Sequence, residues 1–297
     1  MKTRLGKNLP ELDVAQLNGL LSWRMLARGF EFEAKRIALD AGAGRRLAMQ
    51  NVLAHFEAAE GTLPEQGEFR AGNIEIAPLL ALAEYLPLSE EQRKQLKEWS
   101  PQGTFKTLAL TWLGPKAAPQ EYSLQGDFAN LGIQALGKLP GFANISGTLQ
   151  ADQKGGALKL AGKHAALDMP LVFRQALQFD EMSAAARWRI KDQRVRLTID
   201  KANFSNAQVS GNLSGQYESA PGGAGYADIA GRLTRADVTA VYQYLPRVIG
   251  EQTYTWLQNA LVKGVSDDVR VKLKGDLSHF PFASDRNGVF QVTAKVK

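Results

Sequence analysis

Arg194-Val195-Arg196-Leu197-Thr198-Ile199-Asp200 sets the period by which much of this chain can be read. Apolar side chains fall at every second position. Val195, Leu197 and Ile199 therefore share one face of a strand, and the arginines and Thr198 share the other. Just upstream, Ala186-Arg187-Trp188-Arg189-Ile190-Lys191 alternates in the same way, and Asp192-Gln193 between the two is short enough for a hairpin turn. Val209, Leu213 and Tyr217, set around Gly211 and Gly215, mark a further strand. Ala157-Leu158-Lys159-Leu160 follows a turn at Lys154-Gly155-Gly156, and Val269-Arg270-Val271-Lys272-Leu273-Lys274 repeats the pattern. Near the start, Trp23, Phe30, Phe32, Ile37 and Leu39 suggest another hairpin, with a turn at Gly42-Ala43-Gly44. Strands at such short spacing predict an antiparallel meander, and hence a mainly β fold built around a long twisted sheet.

Short amphipathic helices separate the strand sets. Leu79, Leu82, Ala83 and Leu86 have helical spacing, with Pro78 suited to a first turn. Ser89-Glu90-Glu91-Gln92 reads as a capping box that opens a second helix towards Trp99. Asp237 is placed to cap a helix carrying Val238, Val241, Tyr242 and Leu245. Another, from Glu251 to Lys263, carries Trp256, Leu257, Ala260 and Leu261 and ends at Gly264. The two helical regions repeat one another at a constant offset. Tyr85-Leu86-Pro87 matches Tyr244-Leu245-Pro246, Gly72 matches Gly231, Ile74 matches Leu233, and Leu79 and Leu82 match Val238 and Val241. A looser third copy is suggested at Leu139-Pro140-Gly141. The expected organisation is two β-repeat units, residues 1–114 with helices near 77–99 and residues 115–297 with helices near 237–263. Units of this kind bury their apolar faces against neighbours.

The 297 residues carry a formal net charge of +6, but the 36 basic and 30 acidic residues are interleaved, and no basic run is backed by stacking aromatics. Nucleic acid is therefore not an expected partner. Cysteine is absent, which removes disulfides, thiolate metal sites and thiol nucleophiles together. His55, His164 and His279 lie far apart with no second ligand at metal spacing, and Asp267-Asp268 reads as a solvated loop pair. Gly222-Gly223-Ala224-Gly225 lacks the Lys-Ser/Thr of a phosphate loop. Nucleophile elbows, zinc-protease motifs and dinucleotide fingerprints are missing too, so neither an enzyme nor a cofactor is expected.

A meander with one apolar face must cover it with a second sheet, by closure, or with a ligand. The surface in question is formed by Leu158, Leu160, Val195, Leu197, Ile199, Val209, Leu213, Val269, Val271 and Leu273. Alternation alone leaves open whether these residues make a sandwich core or line a groove. Small neighbours such as Ala161, Ala184, Ala186 and Ala202 fill a core poorly and leave room for a chain-like guest. Burying a methylene is worth about 0.8 kcal/mol, so a long acyl chain gains several kcal/mol on such a surface without polar contacts. A rival reading is a scaffold or assembly factor that pairs another protein with its last strand, Phe290 to Lys297.

Tyr244-Leu245-Pro246, Trp256 to Gly264, Lys274-Gly275-Asp276-Leu277-Ser278-His279-Phe280-Pro281-Phe282, Leu139-Pro140-Gly141, Ser146-Gly147-Thr148-Leu149 and Asp168 to Arg174 stand in a characteristic order. In these segments the chain resembles the YhdP branch of the AsmA-like (TamB/YhdP) envelope proteins of Gram-negative bacteria. The resemblance implies a repeating β-groove that carries phospholipid across the periplasm between inner and outer membrane. It also implies an inner-membrane anchor. Met1 to Leu21 holds no continuous apolar run, and the last strand stops in mid-pattern. The chain is therefore expected to be a periplasmic fragment of a longer protein whose anchor lies elsewhere.

Overall fold

The structure, a computed structural model, describes residues 2–4, 9–42, 45–86, 88–137, 139–282 and 288–297. Most of the Gly42-Ala43-Gly44 turn and Pro87 of the first Tyr-Leu-Pro motif lie outside these residues. A small ribbon pairs β1 (Lys2–Thr3) with β2 (Leu12–Asp13). Then come β3 (Gln16–Leu26), β4 (Gly29–Asp40), β5 (Arg46–Glu57), β6 (Gln66–Glu75), β7 (Gln102–Leu113), β8 (Glu121–Ile133) and β9 (Gly141–Asp152). The rest are β10 (Gly155–Asp168), β11 (Leu177–Lys191), β12 (Arg194–Ser205), β13 (Val209–Glu218), β14 (Tyr226–Asp237), β15 (Val265–Ser266), β16 (Val269–Asp276) and β17 (Gly288–Ala294). Among the described residues the fifteen strands from β3 onward belong to one antiparallel sheet, in which each pairs with its neighbour in sequence apart from the short β15 on β14. With 61% of the chain in strands, the protein is mainly β, as the alternation predicts. The Asp192-Gln193 hairpin forms as expected, and both turn residues take positive φ, at 51° and 60°.

Contacts divide the chain into two compact units, residues 1–134 with 146–153, and residues 135–145 with 154–297. In the first, α1 (Ile76–Ala81), a 3-10 turn (Ala83–Tyr85) and α2 (Glu90–Trp99) are inserted between β6 and β7, which pair with each other. In the second, a 3-10 helix (Val238–Tyr244) and α3 (Glu251–Ala260) stand in the same place between β14 and β16. The two inserts match the internal repeat in position. The second opens as a 3-10 helix, with the Asp237 carboxylate accepting from the Thr239 amide at 2.9 Å. The capping box of α2 is complete: the Gln92 amide donates to Ser89 Oγ at 3.1 Å and the Ser89 amide to Gln92 Oε1 at 2.9 Å. Leu139-Pro140-Gly141 departs from the third-copy expectation, because it leads directly into β9 without a helix. The sequence after it alternates as a strand and lacks helical spacing.

Polarity does not alternate unbroken along these strands. In β4 the apolar side runs Phe30, Phe32, Ala34 and then Ile37. In β5 it runs Phe56, Ala54, Val52 and then Met49, so a three-residue step replaces a two-residue one in both strands. Matching steps separate Ala71 from Ile74 in β6 and Phe105 from Leu108 in β7. Positive φ at Arg36, Asn51 and Asn73 marks the bulges that absorb the extra residue. Where both partners bulge together, as in β4 with β5 and β6 with β7, the register is kept and the same face stays apolar beyond the step; between β5 and β6 it shifts at Gln50/Leu53.

Beyond the bulges of the first unit lies a true core. Leu12, Val14, Ala41, Leu47 and Leu82 are buried together, with Leu39, Met49, Leu79 and Tyr85 packed around them. Leu79 also touches a second cluster of Ala34, Val52, Ala71 and Ile74. The inserted helical segment thus covers one end of the apolar face. Leu82→Ala is expected to cost about 2–5 kcal/mol, as for other buried leucine truncations. Ser89→Ala should cost about 1 kcal/mol and act on α2 alone. Thermal melts read the first, and amide exchange confined to residues 90–99 reads the second.

Candidate functional site

Cross-strand pairing in the second unit lines the expected surface residues up in rungs. One rung runs Leu158, Ala186, Ile199, Gly215, Ile229, Leu273, Phe290 from β10 to β17. The next runs Leu160, Ala184, Ala202, Leu213, Gly231, Val271, Val292, and a third carries Trp188, Leu197 and Tyr217. Val269 lies opposite Leu233, Val195 opposite Ile190, and Val209 opposite Ala236. All ten expected residues therefore stand on one face of one sheet. The first two rungs mix large side chains with small ones, Ala186 and Gly215 in the first and Ala184, Ala202 and Gly231 in the second. At Gly215 an added Cβ would come within 2.3 Å of the Asp228 carbonyl oxygen, so this place in the rung stays without a side chain.

Burial separates these residues into two groups. Val209 and Val269, at 6% and 5% exposure, are in the interior. The other eight are half-buried. The interior pair sits towards the end of the face where the inserted segment lies, for Val238 and Ala240 of the 3-10 helix are buried as well. That segment is tied down by polar contacts. Asn206 Nδ2 donates to the Tyr244 hydroxyl at 2.9 Å, and this hydroxyl donates to Gln208 Oε1 at 3.0 Å. Arg174 lies 4.1 Å over the Tyr254 ring and donates to the Ile249 carbonyl at 3.0 Å. In the first unit the matching Tyr85 receives a hydrogen bond from Arg45, whose guanidinium also lies over its ring.

The first unit has a comparable surface that the period-two reading did not assemble. Met25, Phe30, Phe56, Gly67, Trp112 and Tyr122 form one rung, and Trp23, Phe32, Ala54, Phe69, Leu110 and Leu124 the next. Trp23 stacks on Phe30 at 4.8 Å and is 60% exposed. The indole of Trp112 lies where a Cβ on Gly67 would be, 2.1 Å from its ring, so only glycine admits the ring there. The signal available in the sequence was the recurrence of aromatics from strand to strand, Trp23, Phe30, Phe32, Phe56, Phe69 and Trp112, with Phe30 and Phe32 at alternate positions of β4.

The opposite face is charged. Arg187 makes a bidentate pair with Asp200, at 3.1 and 2.6 Å, and Arg196 donates twice to Glu218, at 3.0 and 2.7 Å. The Arg196 hydrogen bonds and charge hold the Glu218 carboxyl below the usual range, and a hydrogen bond from Lys272 does the same for Asp228. Asp268 of the Asp267-Asp268 pair bridges Arg232 and Arg270. His55 sits between Glu31, at 3.5 Å, and Glu57, at 3.1 Å, on the polar side of the first unit. Among the described residues no group of acidic or histidine side chains has the geometry to hold a metal ion, and no helix is long and apolar enough to cross a membrane.

A family model described as YhdP protein matches residues 1–297, the whole chain. The chain belongs to the YhdP family. No curated protein and no solved structure matches it. Membership in the YhdP family points, at the family level, to envelope-related lipid transport, and to a transport or scaffold role in preference to an enzymatic one. In this YhdP-family chain the two groups of apolar residues should respond differently to charge. Leu197→Lys and Val271→Lys, whose ammonium can reach water from half-buried positions, are expected to change stability by about 1 kcal/mol or less. Val209→Lys and Val269→Lys bury an unpaired charge and should cost several kcal/mol. Circular-dichroism melts of the four variants check this contrast.

Proposed function

We propose that the chain is a periplasmic part of an inner-membrane-anchored phospholipid conduit, and that its apolar face carries acyl chains. One observation carries the reading: eight of the ten aligned apolar residues of the second unit are half-buried, in rungs that run from strand to strand. A sandwich core would bury such residues fully. A half-covered apolar surface of this extent is unusual unless something apolar visits it. Each methylene laid on it gains about 0.8 kcal/mol, and no rung supplies a fixed polar contact, so chains can bind and slide without recognition of one lipid. Family membership supports the same reading.

A second reading is strand addition to another envelope protein. It is favoured by β3, an edge strand on which Leu20, Leu21, Trp23 and Met25 are all more than half exposed. A long apolar edge is a template for pairing.

Native mass spectrometry of the purified chain, with organic extraction, tests the conduit. Phospholipid is expected to co-purify in more than one copy. The double variant Leu197→Asp with Val271→Asp should stay folded and lose most of it. Unchanged lipid in a folded double variant would overturn the assignment, and a lipid-free wild type with a stoichiometric protein partner would favour strand addition.

A further inference from the structure

We propose that the β11–β12 hairpin binds a phosphate-bearing anion in a depression on its charged face. Alternation places Arg187, Arg189 and Lys191 of β11 on that face together with Arg194 and Arg196 of β12. The register sets Arg189 directly opposite Arg196 and Lys191 directly opposite Arg194. Like charges in directly opposed positions destabilise a sheet. Two such pairs in succession need a compensating anion, and elsewhere on the same face the protein supplies one. Arg232 opposes Arg270, and Asp268 reaches both at 3.2 and 3.7 Å. Lys272 and Lys274 share Asp228.

At the hairpin the compensation is incomplete. Asp200 is engaged with Arg187, and Glu218 with Arg194 and Arg196. Among the described residues, Arg189 and Lys191 have no carboxylate within ion-pair distance. The acid nearest to them in sequence is Asp192, in the turn itself, while Asp180 and Glu181 stand towards the other end of β11.

The space beside these cations is also empty. Next to Arg189 and Arg187, β10 presents Gly155 and Ala157, which have little or no side chain. A depression of about 360 Å³ results, lined by Ala157, Arg187, Arg189, Arg196, Thr198 and Gln216 together with Gly156 and Trp188, which adjoin them in sequence. That is within the range of small-ligand sites. Guanidinium forks match the oxygens of a phosphate group, and the Thr198 hydroxyl and the Gln216 amide can donate to those left over. A phosphoester has more acceptor oxygens than a carboxylate and uses this donor set more fully. The same group occurs on a lipid head and on a soluble phosphoester, and the chemistry of the site is the same for both. Because the site lies on the face opposite the apolar rungs, it stands or falls separately from the acyl-chain reading.

Calorimetric titration of the full chain with glycerol 3-phosphate, glycerol and dihexanoylphosphatidic acid below its micelle concentration tests the site. Wild type should bind the two phosphates and not glycerol, more weakly as salt rises. Arg189→Ser should weaken phosphate binding on the order of tenfold, and Arg189→Ser with Arg196→Ser further. Arg270→Ser, with the same loss of charge on the same face, should bind as wild type does. Tighter binding of the phosphatidic acid, with the same dependence on Arg189, would assign the site to a lipid head, and equal affinities to a soluble phosphoester. Absence of phosphate binding, an unaffected Arg189→Ser variant, or an equal loss in Arg270→Ser would overturn the proposal. All three variants alter exposed side chains, and unchanged circular dichroism confirms that they fold.

Discussion

Backbone hydrogen bonds between strands adjacent in sequence are the constraint on which the rest of this structure rests. Each ladder satisfies its amides and carbonyls within the plane of the sheet and asks nothing of the faces. The faces can therefore specialise. In each unit, one collects the apolar side chains and the other carries ion pairs, at Glu31, Glu57 and Glu68 in the first and at Asp200, Glu218, Asp228 and Asp268 in the second. Exposed pairs of this sort add little stability individually. Their effect is to keep the charged face wetted, and the apolar face is left as the part of the molecule with unsatisfied demand.

The inserted helical segments meet part of that demand. In the first unit Leu79, Leu82 and Tyr85 pack with Leu39, Leu47 and Met49 around the buried cluster of Leu12, Val14, Ala41, Leu47 and Leu82. In the second, Val238 and Ala240 are buried where Val209 and Val269 are. Each insert is fastened to a strand-to-strand turn by a tyrosine hydroxyl, Tyr85 to Arg45 and Tyr244 to Asn206 and Gln208. The recurrence of the Tyr-Leu-Pro motif thus has a structural reason: the tyrosine is the latch, and the leucines and valines before it are the cover. Away from the inserts the same face continues uncovered, lined by aromatics in the first unit and by aliphatic side chains in the second.

Much of this was legible from residue order. Val195 to Ile199 and Val269 to Leu273 alternate without interruption, because no bulge falls within either run. Asp192-Gln193 and Ser89-Gln92 are local devices whose chemistry is complete within a few residues. The three-residue steps were not legible. Ala34 to Ile37 and Val52 to Met49 break the period in a way that a strict alternation reads as the end of a strand, and the bulge becomes visible only when the neighbour is seen to bulge with it. The aromatic rungs of the first unit escaped for a related reason, since Met25, Phe56 and Trp112 are far apart in the chain and meet through register. Whether an apolar face is covered is not encoded in its own residues at all. It depends on the presence or absence of other elements over it, which is why Leu197 and Val269 look alike in sequence and differ in burial.

Pairing each strand with the one made just before it has a consequence for how the protein comes into being. No strand waits for a partner from the far end of the chain, so loop-closure costs stay small despite the length, and ladder growth can follow the order of synthesis. The helical inserts interrupt this growth only briefly, because β6 and β7, or β14 and β16, close around them. A polypeptide delivered N-terminus first through a narrow channel could zip up strand by strand as it emerged, with only the outer edge of β3 and the newest strand unpaired at any moment.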